Sequence, residues 1–260
     1  MRSRFAVIGM AFAAVGTIAL GASQASADGY VGGPRYVAPF SWTGFYIGVN
    51  GGGAWMDKDW HVPNTAFNIA GGCPGCPTTA GGFDGRGGLI GGQVGFNYQV
   101  DRRWVLGVEV QDDWGRIRGS GTNTFIGAPF RDNAEIRSVG TIAARLGLAH
   151  GTSLFYVKAG GAWTEEKFWV APASGVQSQV ASDTQWGWMG GVGYEWAFTN
   201  NWSVKLEYDH MDFGRNRERL ECMPGTGCAR GFEYDIRQTI DLVKVGINFK
   251  FGRDEPRPLK

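Results

Sequence analysis

Val243-Lys244-Val245-Gly246-Ile247-Asn248-Phe249-Lys250-Phe251 is the stretch on which the reading of the fold turns. Val243, Val245, Ile247, Phe249 and Phe251 fall on one face, and Lys244, Gly246, Asn248 and Lys250 on the other. A period of two means a β-strand with one apolar and one polar face.

Seven more segments repeat the pattern. The first, 43–55, sets Phe45, Ile47 and Val49 against Tyr46, Gly48 and Asn50. The second, 89–100, sets Ile90, Val94, Phe96, Tyr98 and Val100 against Gly91, Gln93, Gly95, Asn97 and Gln99. In the third, 104–114, Leu106, Val108 and Val110 alternate with Gly107, Glu109 and Gln111. The fourth, 136–149, opposes Ile142, Ala144, Leu146 and Leu148 to Thr141, Ala143, Arg145 and Gly147. The fifth, 154–163, opposes Phe155, Val157 and Ala159 to Tyr156, Lys158 and Gly160. The sixth, 184–198, opposes Trp188, Val192, Tyr194 and Trp196 to Met189, Gly191, Gly193 and Glu195. In the seventh, 202–213, Val204, Leu206 and Tyr208 alternate with Lys205, Glu207 and Asp209.

The connections alternate in length. Three or four residues follow the second, fourth and sixth strands, whereas 57–87, 115–134, 165–183 and 214–236 read as long polar loops. Eight strands with short turns on one side and long loops on the other fit an all-β, antiparallel transmembrane β-barrel, with periplasmic turns and extracellular loops. The apolar face then meets lipid. Aromatics at strand ends fit membrane-interface belts: Tyr98, Trp104, Trp196, Phe198, Trp202, Phe249 and Phe251 on the short-turn side, Trp55, Trp114, Trp163, Trp186 and Phe213 on the other. A water-soluble eight-stranded barrel also alternates, with the apolar set inside. Parity alone does not separate the two; the aromatic strand ends, the loop asymmetry and the terminal Phe251 do, in favour of the membrane barrel.

Arg2 and Arg4, an apolar run from Phe5 to Gly21 and Ala25-Ser26-Ala27 describe a secretory signal peptide over 1–27. The alternative, a membrane anchor, meets a run that is short and rich in Ala and Gly. Without Arg2 and Arg4 the formal charge passes from +1 to −1, which argues for no nucleic-acid partner. Forty-three glycines beside eleven tryptophans and sixteen phenylalanines suit a barrel, whose strands bend at glycine and whose rims carry aromatics. The Gly/Pro-rich segment 28–41 reads as a flexible periplasmic lead, 42–251 as the barrel and 252–260 as a polar tail with Pro256 and Pro258.

Trp42-Thr43-Gly44-Phe45-Tyr46-Ile47-Gly48-Val49-Asn50-Gly51-Gly52 resembles the first strand of the alphaproteobacterial small outer-membrane proteins of the porin-family β-barrel group. Ala144-Arg145-Leu146-Gly147, Leu154 to Gly161, Trp202 to Tyr208, Asp212-Phe213-Gly214 and the final strand are similar to its later strands, so the resemblance spans about 40–251. It implies an outer-membrane surface protein tied to envelope integrity, in contact with lipid, lipopolysaccharide and the assembly machinery. Peptidoglycan or a host surface are further partners of such proteins, and some relatives bind hemin. The tail beyond Phe251 departs from the family habit of ending on Phe.

Candidate chemistry is sparse. The inward set holds Glu109, Arg145, Lys158, Glu195, Lys205, Glu207 and Lys244. Eight strands leave room for side chains but for no wide pore, and charges packed there need partners. An interior salt-bridge network filling the lumen is therefore expected, with a narrow passive channel as the alternative. Cys73 and Cys76 lie in the first long loop, Cys222 and Cys228 in the last. Two local disulfides are one reading in an oxidising compartment, and pairing between the two loops is another. Redox catalysis lacks its βαβ context. A four-thiolate zinc site is the remaining possibility, although no metal or cofactor is expected. His61 is the weak candidate for a hemin ligand, with Trp55 or Trp60 beside it. For acyl transfer or hydrolysis the one candidate is His210 with Asp209, Asp212 and a serine such as Ser203. Adjacent strand residues point to opposite faces, so Asp209 and His210 make a poor pair and no enzyme is expected.

Overall fold

A computed structural model describes residues 40–61, 79–123, 130–172, 179–222 and 232–252. Eight strands follow in order: β1 (Gly44–His61), β2 (Thr79–Gln99), β3 (Trp104–Asn123), β4 (Phe130–His150), β5 (Ser153–Pro172), β6 (Gln179–Ala197), β7 (Trp202–Cys222) and β8 (Phe232–Lys250). Each pairs antiparallel with its neighbour in sequence. β8 returns to β1 through Val49↔Ile247 and Ala54↔Leu242, which closes the barrel. No helix occurs among the described residues. The segments 1–39 and 253–260 lie outside them, and with them the expected signal peptide, most of the lead and the tail.

Closure puts the apolar set on the outside, as the sequence reading expected. The outward set is apolar: Phe45 is 63% exposed and Ile90 69%, and Val49, Val94, Val108, Phe155, Val192 and Val245 share that face. A contiguous apolar belt of this kind needs an apolar surrounding. Exposed Trp104, Trp196, Phe198 and Trp202 rim the belt near the short turns. Trp55, Trp114, Trp186 and Trp188 rim it at the opposite end. Phe213 is a correction to the expected rim. It lies on the inward parity of β7 and is buried, 3% exposed.

The strands run 18–21 residues, well beyond the expected limits. Much of 57–87, 115–134, 165–183 and 214–236 is therefore strand and not loop, a second correction. Pairing continues through Asp57↔Asp84, Arg118↔Glu135 and Glu135↔Lys167. The reason is a change of phase. In β8 the apolar residues face outward from Val243 onward, but Ile236, Ile240 and Leu242 before them face inward. The apolar set thus changes face between Leu242 and Val243, and a search for one unbroken period of two stops there. β7 does the same between outward Tyr208 and inward Met211. About 9–11 residues span a bilayer in a tilted strand, so each strand projects well past the belt.

Five of the strand pairings shift register in the projecting part, two of them as follows. Pairing of β3 with β4 skips from Trp114↔Ser138 to Ile117↔Ile136, and β7 with β8 skips between Asp212 and Arg215. The second bulge uses Gly214 at φ 68°, a left-handed conformation suited to glycine, and its N–H donates to Asp212 Oδ1 at 2.7 Å.

The opposite end is tied by side chains. In the turn 100–103, Asp101 Oδ1 accepts the N–H groups of Arg103 and Trp104, both at 2.7 Å, and these bonds hold its carboxyl below the usual range. Beneath the barrel, Trp42 is buried. Its N–H donates to Gln99 Oε1 at 2.9 Å and its indole N–H to the Gly151 carbonyl at 3.3 Å. Phe40 packs edge-on to Trp42, centroids 5.0 Å apart, and the Lys250 ammonium sits 4.6 Å over the Phe40 ring while donating to the Ser41 carbonyl.

Candidate functional site

Inward side chains of the belt-level half form one connected ionic layer, each member nearly inaccessible. Its centre is Arg145 on β4. Its Nη2 meets Glu195 at 2.9 Å and its Nη1 meets Glu109 at 3.2 Å, while the guanidinium lies 3.9 Å over the ring of Tyr156. Lys158 reaches Glu207 at 2.7 Å and Asp209 at 3.1 Å, and Lys205 stands 3.4 Å from both Glu109 and Glu207. Lys244 meets Asp209 at 2.9 Å, Asp113 at 3.1 Å and Glu207 at 3.5 Å, and it donates to Gln111 Oε1 at 2.6 Å. All seven charged residues singled out in the sequence come together here.

Four residues complete the layer beyond those seven. Asp113 and Asp209 bring the carboxylates to five against four cations. Tyr46 donates to Glu109 at 2.8 Å and Tyr156 to Glu207 at 2.7 Å. Inward parity is the signal that finds all four. Each tyrosine ring lies over a glycine on the neighbouring strand, Tyr46 over Gly95 and Tyr156 over Gly193, where any Cβ would run into the ring. The matching glycines are thus what let two bulky phenols enter a lumen of eight strands. Amides extend the network toward the base: Asn50 donates to Gln93, Gln93 to Asn248, and Asn248 to Glu195, at 2.7, 2.7 and 2.8 Å.

Beyond this layer the filling changes. Met56, Leu89, Ile117, Ile136, Val139, Met189, Met211, Phe213, Ile240 and Leu242 form a buried apolar cluster inside the projecting half. Within that half Lys58 and Glu166 are fully buried and paired at 2.6 Å, and Gln238 donates to Glu166. The inward face is therefore polar over the belt and largely apolar above it, in segments that were expected to form loops.

The other candidates fare differently. His61 ends β1, Trp55 faces outward on the rim, and the side chains of His61 and Trp60 lie outside the described residues. Cys73, Cys76 and Cys228 also lie outside them, and of Cys222 only its place at the end of β7 is described. Among the described residues no group of three His, Cys, Asp or Glu is placed to hold a metal. The catalytic candidate does not assemble. Asp209 points inward, Asp212 turns to Gly214 and Arg237, and Ser203 donates to Glu195 at 2.5 Å near the base. His210 faces outward and meets Asp241 at 2.7 Å, a carboxylate that also accepts from Tyr208 at 2.7 Å.

The family model described as outer membrane protein beta-barrel domain matches residues 10–251. The 31 kDa outer-membrane immunogenic protein of Brucella melitensis is 31% identical over 225 residues, covering 83% of this chain and 86% of that protein, and the protein of the same name from Brucella suis matches equally. Among solved structures, OprG from Pseudomonas aeruginosa gives a TM-score of 0.48 at 13% identity, covering 80% of this chain and 97% of its own. AlkL gives 0.44 at 12% identity, covering 88% and 99%.

Proposed function

The chain belongs to the outer membrane protein β-barrel family and resides in the outer membrane; on that premise we propose that it is a closed structural barrel that strengthens the envelope, displays its connecting segments at the cell surface and performs no catalysis. The observation that carries this reading is the doubly filled lumen, with the ionic layer at the belt and the apolar cluster beyond it. An ion entering would have to part Arg145 from two carboxylates and then cross an apolar zone. Either step removes charge from its partners in a medium of low dielectric.

Surface display is supported by the strands, which project past the belt at the end away from the short turns. The word immunogenic in the name of the Brucella relatives supports the same reading. Planar-bilayer recording of the purified protein tests the closed lumen. A flat trace is the expected result. Unitary conductance steps that survive repurification would make the barrel a narrow channel instead.

A further inference from the structure

The exterior just beyond the upper aromatic rim is electrically lopsided. Arg86 on β2 lies directly opposite Arg118 on β3 and directly opposite the rim residue Trp55 on β1. Arg116 and Arg137 stand at the bulge where the pairing of β3 with β4 skips. All four side chains are exposed. The carboxylate that pairs with them is Glu135, whose two oxygens accept from Arg118 Nε at 3.0 Å and Arg137 Nε at 3.2 Å. Burial pushes the Glu135 carboxyl up, but Arg137 and Arg118 outweigh it and hold the group below its usual range. Arg86 and Arg116 have no acidic partner among the described residues.

Like charges directly opposite on neighbouring strands repel. Glu135 engages Arg118 and Arg137, while Asp84, two residues before Arg86 on the same face of β2, and Glu165, opposite Ser138, border the group without pairing to it. The adjoining arc is the reverse: Asp57 faces Asp84 across the pairing of β1 with β2, and burial together with Asp59, Asp84 and Asp241 pushes the Asp57 carboxyl up. The basic arc borders the rim tryptophans, so it stands at the level of lipid headgroups. The planar fork of arginine matches phosphate in a bidentate way.

We propose that Arg86, Arg116, Arg118 and Arg137 form a binding site for the phosphate groups of outer-leaflet glycolipid. The site lies on the exterior and stands independently of whether the lumen conducts. A phosphorylated headgroup seated there relieves the Arg86–Arg118 repulsion and leaves the acidic arc free of lipid phosphate. It also gives the barrel a preferred side for its annular lipid.

The test uses the protein purified from outer membranes into a zwitterionic detergent, with thermal unfolding followed during titration. Bis-phosphorylated lipid A should raise the melting temperature of the wild type. The same lipid A stripped of phosphate, or inorganic phosphate at equal phosphate concentration, should leave it unchanged. The Arg86→Gln/Arg116→Gln variant, which removes two exposed side chains with no acidic partner, should need at least about tenfold more lipid for the same shift. The Asp57→Asn/Asp84→Asn variant should need no more than the wild type. An unshifted titration in the arginine variant overturns the proposal. So does an equal effect of inorganic phosphate, and so does a lipid-independent dimer that the arginine variant alone loses, which would assign the arc to a second copy of the chain.

Discussion

The lower and upper halves of this barrel share one wall yet follow opposite rules of burial. At the belt the outside is apolar and the inside ionic, as for a protein surrounded by lipid. Above it the outside carries Asp57, Asp84, Arg86, Arg116 and Arg118, and the inside holds Met56, Ile117, Met211 and Ile240, as for a protein in water. The change falls within a residue or two, at Leu242-Val243 in β8 and between Tyr208 and Met211 in β7. The strand continues unbroken across it. A backbone hydrogen-bond ladder is indifferent to the solvent on either side, so the surroundings alone decide which face is apolar.

The two fillings also hold together by different means, and mutations can expose that. The largest effect is expected for Arg145→Ala in the lower half. It leaves Glu109 and Glu195 without their guanidinium and should cost about 3–5 kcal/mol, the range for breaking a buried pair. The urea midpoint of the protein refolded in micelles measures this, and an unchanged midpoint would remove the ionic layer from any account of stability. Met211→Ala in the upper half should cost about 2–5 kcal/mol through the space it opens. Met211→Leu should stay under about 1.5 kcal/mol because volume is kept. If the leucine variant falls as far as the alanine one, the upper filling is not a packed apolar core. A smaller loss than that of Met211→Ala is expected for Gly193→Ala, whose added methyl meets the Tyr156 ring and should cost about 1–3 kcal/mol by overpacking. Its signature is a loss that Tyr156→Phe in the same chain relieves only in part, because ring carbons as well as the hydroxyl meet the added methyl.

The sequence disclosed these halves unequally. Glu109, Arg145, Lys158 and Glu207 stand out because a charge at an inward place of a strand with an alternating apolar face is conspicuous. Their mutual contacts are a matter of closure, which brings β3, β4, β5 and β7 into one lumen. The upper half was nearly illegible. There the apolar residues shift to the other parity, glycines such as Gly82, Gly85 and Gly87 blur β2, and the outward positions carry charges that look like loop. Phe213 was misplaced for the same reason, since nearness to a strand end says nothing of the face it takes. The outward pairing of His210 with Asp241 depends on the β7–β8 register, which no single strand reveals.

The knot of contacts under the barrel carries a consequence for the order of events in assembly. Trp42 comes before the first strand, yet it needs Gly151 from the middle of the chain, and Ser41 needs Lys250 from the last strand. The second contact exists only once β8 has met β1. The base is therefore a latch that only a finished barrel can fasten in full, and a chain stalled one strand short leaves Ser41 without its tie to Lys250.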